Sequence, residues 1–277
     1  MTVPVDVVHP EVTVITVDFN SCTHLKQTIE SVLAQIGITL EYWVIDGGST
    51  DGTIDIIKKY SPRLSGWISE PDEGIADAFN KGLARTTGRY IMFLNADDAL
   101  ANPRVLADLL DAAQVGNWPA VVYGDCDLFD PDSGEFLYRA VINYDRERFL
   151  ARETLPHPGM LMHRRYFEEY GRFDTSFRVA MDYELLLRGV PKTGAMRVPG
   201  VVTRVRAGGV SARNRGLVID ETMRALRMHG HISALGEARI RAAYAMRGAA
   251  RRALEGAGLY RAFDAIRRRR TGAQDHA

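Results

Sequence analysis

The chain has only two cysteines, Cys22 and Cys126. That excludes a disulfide framework and a cysteine-ligated zinc site, and it fits a reducing compartment. Net charge is zero, so nothing in the bulk balance draws the chain to nucleic acid, and no nucleic-acid partner is expected. No uninterrupted apolar run reaches the length that crosses a bilayer. Met1 to Pro10 lacks the basic start and apolar core of a signal peptide, so a cytoplasmic location is expected. Two nucleotide-binding signatures are also missing. No Gly-Lys-Ser/Thr ending makes a P-loop of the glycine-rich turn at Gly47, and no G-x-G-x-x-G follows the first strand. There is no internal repeat and, apart from one arginine run, no low-complexity segment.

What remains is an ordinary globular make-up, 46% hydrophobic and 25% charged over 277 residues, which suits one large α/β domain with an appendage. The β-branched run over residues 12–17 predicts a central first strand. Asp18-Phe19-Asn20-Ser21 then turns into a helix with Leu25, Ile29, Val32 and Leu33 on one face. Further strands are predicted over residues 42–45, 67–70 and 90–94, with helices between them. Strands and helices alternating at this spacing predict a mainly parallel sheet with right-handed crossovers. Beyond Asp98 the pattern predicts helices over 103–114, 164–170 and 181–188, a strand over 120–125 and an antiparallel extension over 136–141. Residues 197–205 read as a last edge strand, and a domain boundary falls near Arg213.

Acids stand where strands end. Tyr90-Ile91-Met92-Phe93-Leu94 is apolar on both faces and runs into Asn95-Ala96-Asp97-Asp98, with no lysine or arginine beside the two carboxylates. In an open α/β sheet, ligands bind beyond the carboxyl ends of strands, and a hard divalent cation relieves the repulsion between adjacent carboxylates. The plainer reading is a helix N-cap, because Asn102-Pro103 follows. Asp46 ends the second strand before Gly47-Gly48-Ser49-Thr50-Asp51-Gly52, where a carboxylate can accept from a base N–H and glycines admit close approach. Turn capping is the alternative, and it suits Asp51 better than Asp46. Glu70-Pro71-Asp72-Glu73-Gly74 adds an acid cluster after the third strand. Asp77 and Lys81, four residues apart on a helix, read as a surface ion pair or as a phosphate contact. His157 opens a loop and can meet a metal or a phosphate oxygen. Asp182, near the start of a short helix with Glu184, is either a cap or a base for a hydroxyl nucleophile. Carboxylates at three successive strand ends, with a later histidine and acid, imply a metal–diphosphate site with a base, and therefore an enzyme.

These motifs resemble those of glycosyltransferase family 2. The resemblance is carried in order by residues 14–20, by Val44-Ile45-Asp46-Gly47-Gly48-Ser49-Thr50-Asp51-Gly52-Thr53, by residues 69–82 and by residues 88–98. It covers roughly residues 12–210 and is closest to the bacterial branch of colanic-acid-type and mycobacterial glycolipid sugar transferases. It implies an α/β fold of the GT-A type over 12–213, after an N-terminal extension over 1–11. A nucleotide-sugar half would span 12–100, an acceptor half 101–213, and a helical basic tail 214–277. Thr16, Phe19, Asp46, Gly47, Asp77, Lys81, Asn95 and Asp97 would then bind the nucleotide-sugar. Asp98 and His157 would hold Mg²⁺ or Mn²⁺, and Asp182 would be the catalytic base. The resemblance implies an inverting, metal-dependent transfer from a nucleoside-diphosphate-sugar to a hydroxyl of a cell-envelope glycan or lipid-linked acceptor. The chain departs from the family pattern at Ala76, where a tyrosine is common, and at Pro158, where a glutamine is common.

Other readings stay open. A sugar nucleotidyltransferase also joins a parallel sheet to a carboxylate-bound metal, but it needs a basic glycine-rich loop where Asp18-Phe19-Asn20-Ser21 stands. A non-catalytic nucleotide-sugar-binding paralogue is the other alternative. In the tail, Leu259, Phe263 and Ile266 make an apolar stripe beside Arg261 and Arg267-Arg268-Arg269-Arg270. Such a helix can lie on anionic lipid, which would put the enzyme peripherally on the cytoplasmic face of the inner membrane; a solvated face is the alternative.

Overall fold

The computed structural model describes residues 10–239 together with 242 and 246. The apolar stripe and arginine run of the tail lie outside the described residues. The chain divides into two units, Met1–His229 and Gly230–Ala277. The first holds a single sheet, beginning with β1 (Val12–Asp18), α1 (Leu25–Leu33), β2 (Leu40–Asp46), α2 (Thr53–Tyr60), β3 (Gly66–Ser69), α3 (Ile75–Leu83) and β4 (Tyr90–Asn95). These are the expected βα repeats, and β3, β2, β1 and β4 lie side by side, all parallel. Tyr90 to Leu94 are almost wholly buried, which explains the absence of alternation in this run. Burial of each such side chain stabilises by roughly 1.5–3 kcal/mol, enough to hold β4 in the interior. Gly88 makes the approach possible, because a Cβ there would lie 2.4 Å from Thr13 Oγ1 and 2.7 Å from Thr13 N.

The second half is mixed. It runs through β5 (Ala99–Leu100), α4 (Val105–Val115), β6 (Val121–Phe129), β7 (Phe136–Ala140), α5 (Arg146–Leu150), β8 (Met160–His163) and α6 (Arg164–Tyr170). Then come α7 (Met181–Thr193), β9 (Met196–Arg206), α8 (Val210–Arg213) and α9 (Arg215–Met228). The sheet order is β3-β2-β1-β4-β8-β6-β9-β5, with β8 antiparallel to both neighbours and β7 pairing antiparallel off β6. The last long strand is therefore not an edge. β9 lies between β6, to which it is parallel, and the short β5, which follows Asp98 directly. A two-residue strand is too short to carry a readable periodicity, so β5 and its pairing leave no signal in the sequence.

The boundary also differs from the expected one near Arg213. α9 lies in the first unit, and its buried Glu221 accepts from the backbone N–H groups of Arg178, Val179 and Ala180 at 2.8, 2.9 and 2.9 Å. One carboxylate thus caps the chain just before α7. Among the described residues no helix is long and apolar enough to cross a membrane.

Candidate active site

The carboxyl ends of β1 and β4 open onto a cavity of about 790 Å³. Its wall includes Asp18 and Phe19 at the end of β1, Asp72 after β3, Asn95 at the end of β4 with Asp97 and Asp98 after it, and Arg206 at the end of β9. Asp98 is 2% exposed. Its turn is closed by the Asp98 N–H donating to Asn95 O at 3.1 Å, while Thr28 Oγ1 donates to Ala96 O at 2.8 Å and Asp98 O at 2.7 Å. The backbone is thereby fixed and the side chain turns inward. There it accepts only long hydrogen bonds, 3.3 Å from Asn95 Nδ2 and 3.3 Å from the Arg206 N–H. Burial, and next the Asp97 charge, push the Asp98 carboxyl well above the usual carboxylate range. A buried carboxylate with spare acceptor capacity fits a hard cation, and half-buried Asp97 borders the same space.

His157 does not join them. Among the described residues no three His, Cys, Asp or Glu side chains converge as a metal site. The His157 ring stacks on Phe93 at 5.8 Å and lies 5.6 Å from Phe79 and 6.2 Å from Phe173. Burial among these rings lowers its pKa against the opposing pull of Asp182, so the imidazole stays neutral beside that carboxylate. The expected ligand is thus packed among aromatic rings, close enough to the expected base to feel its charge. A hard cation at Asp98 would therefore take its other ligands from donor phosphates or water, which is how Mg²⁺ is commonly held.

Asp46 is fully buried and accepts from Ser69 Oγ at 2.5 Å, Ser49 N at 3.0 Å and Gly48 N at 3.1 Å. Burial raises its pKa, but these donors outweigh it and the carboxyl sits below its ordinary value. All three bonds fall on Oδ2, and Oδ1 has no partner. Turn capping and an open acceptor therefore coexist in one side chain. Its register partner across the sheet is Asp18, 5% exposed, with neither carboxylate oxygen hydrogen-bonded. Burial first and the Asp46 charge second push the Asp18 carboxyl up to about 8. Asp18 is not among the site residues expected from sequence, although it obeys the same rule as Asp46, an acid at the end of a parallel strand.

The linkage has a definite sign. A carboxyl in an unfolded chain titrates near ~3.9, so the folded state holds the Asp18 proton more tightly. The associated stability is complete below about pH 4 and is lost as pH rises to about 8. An Asp18→Asn protein is expected to gain in Tm relative to wild type as pH rises through this range. A gap that does not change with pH rejects the assignment.

Phe19 is 64% exposed and offers a ring face on the cavity wall. A Cβ at Gly47 would lie 2.5 Å from Asp72 Oδ2, so a side chain there would have to push that carboxylate aside. Thr16 stands farther back in β1, fully buried with Oγ1 3.0 Å from Tyr42 Oη, and does not line the cavity. Asp77 and Lys81 follow the plainer reading. Lys81 Nζ lies 3.2 Å from Asp77 and 3.3 Å from Glu70 and donates to Pro71 O at 2.7 Å, which ties the acid loop to α3.

Asp182 lies in the first turn of α7, half-buried, with Oδ1 accepting from the Tyr183 N–H at 2.8 Å. The helix is anchored by Glu184, which is 1% exposed, pairs with Arg188 and meets His229 Nε2 at 2.8 Å. Glu221 fixes the preceding residues, a contribution that its distance along the chain hides from sequence reading.

Known proteins are similar to this chain in sequence and in fold. Residues 13–171 match the model of Glycosyl transferase family 2. An uncharacterized glycosyltransferase of Mycobacterium tuberculosis is 33% identical over 183 residues, 65% of this chain and 68% of the relative. A PGL/p-HBAD biosynthesis glycosyltransferase of Mycobacterium bovis is 29% identical over 200 residues, covering 70% and 73% respectively. Among solved structures, Staphylococcus aureus TarS 1-349 in complex with UDP-GlcNAc superposes with a TM-score of 0.64 at 17% identity, over 83% of this chain and 69% of that 1-349 chain. The mannosyltransferase PcManGT of Pyrobaculum calidifontis, in complex with GDP-Man and Mn2+, gives 0.60 at 18% identity, over 81% and 65%. Those two likenesses support the fold, which is of the GT-A type. The family match sets aside the nucleotidyltransferase alternative: this chain belongs to glycosyltransferase family 2, and it is a glycosyltransferase.

Proposed function

We propose that the chain is an inverting, metal-dependent transferase that moves a sugar from a nucleoside-diphosphate-sugar to a hydroxyl of a cell-envelope glycan or glycolipid. The observation that carries this is one cavity bordered by an exposed aromatic ring at one strand end and, at another, by buried Asp98 with half-buried Asp97 beside it. Phe19 stacks on the nucleobase, and Asp18 on the same wall, backed by its register partner Asp46, accepts from the base N–H groups. Asp97 and Asn95 lie against the ribose and diphosphate. Asp98, with Asp97 beside it, holds Mg²⁺ or Mn²⁺, which when bound supplies positive charge to the departing diphosphate. Asp182 accepts the proton of the acceptor hydroxyl, whose oxygen approaches the anomeric carbon from the face opposite the diphosphate. A single displacement of that kind inverts the anomeric configuration, as in inverting hydrolysis. The glycolipid acceptor follows the PGL/p-HBAD relatives, which share more than two thirds of their length with this chain.

The test is a thermal-shift screen of UDP-, GDP- and dTDP-sugars with and without Mn²⁺. One donor series is expected to raise Tm selectively and only with the metal, because a ligand that binds the folded state alone stabilises it. No shift with any nucleotide-sugar rejects the reading.

A further inference from the structure

β9 ends beside the acidic pair and brings a cation with it. Arg206, its last residue, donates its backbone N–H to Asp98 Oδ1 at 3.3 Å. The residue lines the main cavity and also a smaller one of about 200 Å³ on whose wall Asp97 recurs. Its arm is held by Nη1, which donates to Pro131 O at 2.6 Å in the turn between β6 and β7. Nε is buried and has no acceptor. No carboxylate among the described residues forms an ion pair with this guanidinium, although its charge acts on Asp98.

A buried N–H with no acceptor is uncommon, and a water or a ligand is what would supply one here. The ligand must also tolerate a wall that already carries Asp18, Asp72, Asp97 and Asp98. A neutral sugar has no need of a fixed cation there. A diphosphate does, because its charge meets carboxylates on every side and one divalent ion offsets only part of it. The planar guanidinium presents several N–H donors in a fork that matches phosphate oxygens, and it stays charged at every working pH.

We propose that Arg206 is a further catalytic residue that binds the diphosphate of the nucleotide-sugar and stabilises it as it leaves. This rests on the donor reading above. In the transfer, the bond between the anomeric carbon and the β-phosphate oxygen breaks, and its electron pair stays on that oxygen. The acceptor oxygen forms the new bond to the anomeric carbon, and its proton passes to Asp182. The negative charge gained by the diphosphate comes to lie against Arg206. The assignment also explains why this strand is interior: flanked by β6 and β5, β9 holds its terminal residue in a fixed place over Asp98.

The test uses the full chain and compares wild type, Arg206→Ala and Arg206→Lys. Titration calorimetry with UDP, GDP and dTDP identifies the diphosphate that binds, and ligand-observed NMR measures the matching nucleoside. Arg206→Ala is expected to weaken diphosphate binding by ~10- to 100-fold and to leave nucleoside binding within about threefold. Arg206→Lys, a point charge without the fork, is expected to fall between. If Arg206→Ala binds the diphosphate as wild type does, or loses nucleoside and diphosphate in equal measure, the role is overturned while the donor reading stands. Should the alanine protein not fold, a lysine protein with wild-type diphosphate affinity and wild-type turnover overturns it. If wild type binds none of the diphosphates, both readings fall.

Discussion

Asp182→Asn is expected to bind the donor as tightly as wild type and to transfer its sugar ~10²- to 10⁴-fold more slowly, the usual contribution of a positioned general base. The substitution keeps the size of the side chain, and an amide oxygen can still accept from the Tyr183 N–H, so α7 should start as it does now. What is lost is the capacity to take a proton. The surroundings fit that role. Burial keeps the neighbouring His157 imidazole neutral, so it neither neutralises Asp182 nor competes for it as a cationic partner. The helix is held at both ends of its first two turns, by Glu221 before it and by Glu184 with Arg188 and His229 within it. A base held this firmly loses little orientation entropy when the acceptor arrives. Rates of transfer and hydrolysis, measured at saturating donor, separate the chemical step from binding. Unchanged transfer rejects Asp182 as the base, and a parallel loss of donor affinity makes it a binding residue.

Asp98→Asn is expected to give a protein more stable than wild type in the absence of metal and almost inactive in its presence. The stability part follows from burial. A carboxylate that is 2% exposed, beside another acid and with only two hydrogen bonds of 3.3 Å, is costly to keep charged. An amide of the same shape removes that cost, so Tm without metal should rise. The functional part has the opposite sign. An amide is a weaker ligand for a hard cation, so the increase in nucleotide affinity caused by Mn²⁺ should shrink by at least about tenfold, with transfer falling further. This is the trade between stability and activity expected where a site holds a charge for its ligand. A Tm below wild type without metal would show that the carboxylate serves the fold. An undiminished Mn²⁺ effect would remove Asp98 from the metal.

Both experiments probe residues that stand out in the amino-acid sequence. Asp98 and Asp46 do so because they follow apolar runs, and an acid that terminates a buried parallel strand has few structural reasons to be there. Asp18 meets the same test, but the turn that follows it, with Phe19 in it, carries the stronger motif and masks it. Thr16 stands back from the cavity and Lys81 keeps to the ion-pair reading for a shared reason: a position near a strand end or on the right helix does not determine which way a side chain faces. Thr16 turns to Tyr42, and Lys81 to Glu70, Asp77 and Pro71. His157 does lie close enough to Asp182 to feel its charge, but its aromatic surroundings come from Phe79, Phe93 and Phe173, which are far apart in the chain.

By itself the sequence determined the βα repeats, the parallel first half of the sheet, the family and the acids at the strand ends. All of these depend on local periodicity and short motifs, which act over a few residues. Tertiary structure alone decided the rest. It put β9 inside the sheet, set Arg206 over Asp98, and used Glu221 of α9 to cap the approach to Asp182. The physical reason is that hydrogen bonds and burial join groups by distance in space. A carboxylate 41 residues from the N–H it accepts leaves no periodic trace in the chain.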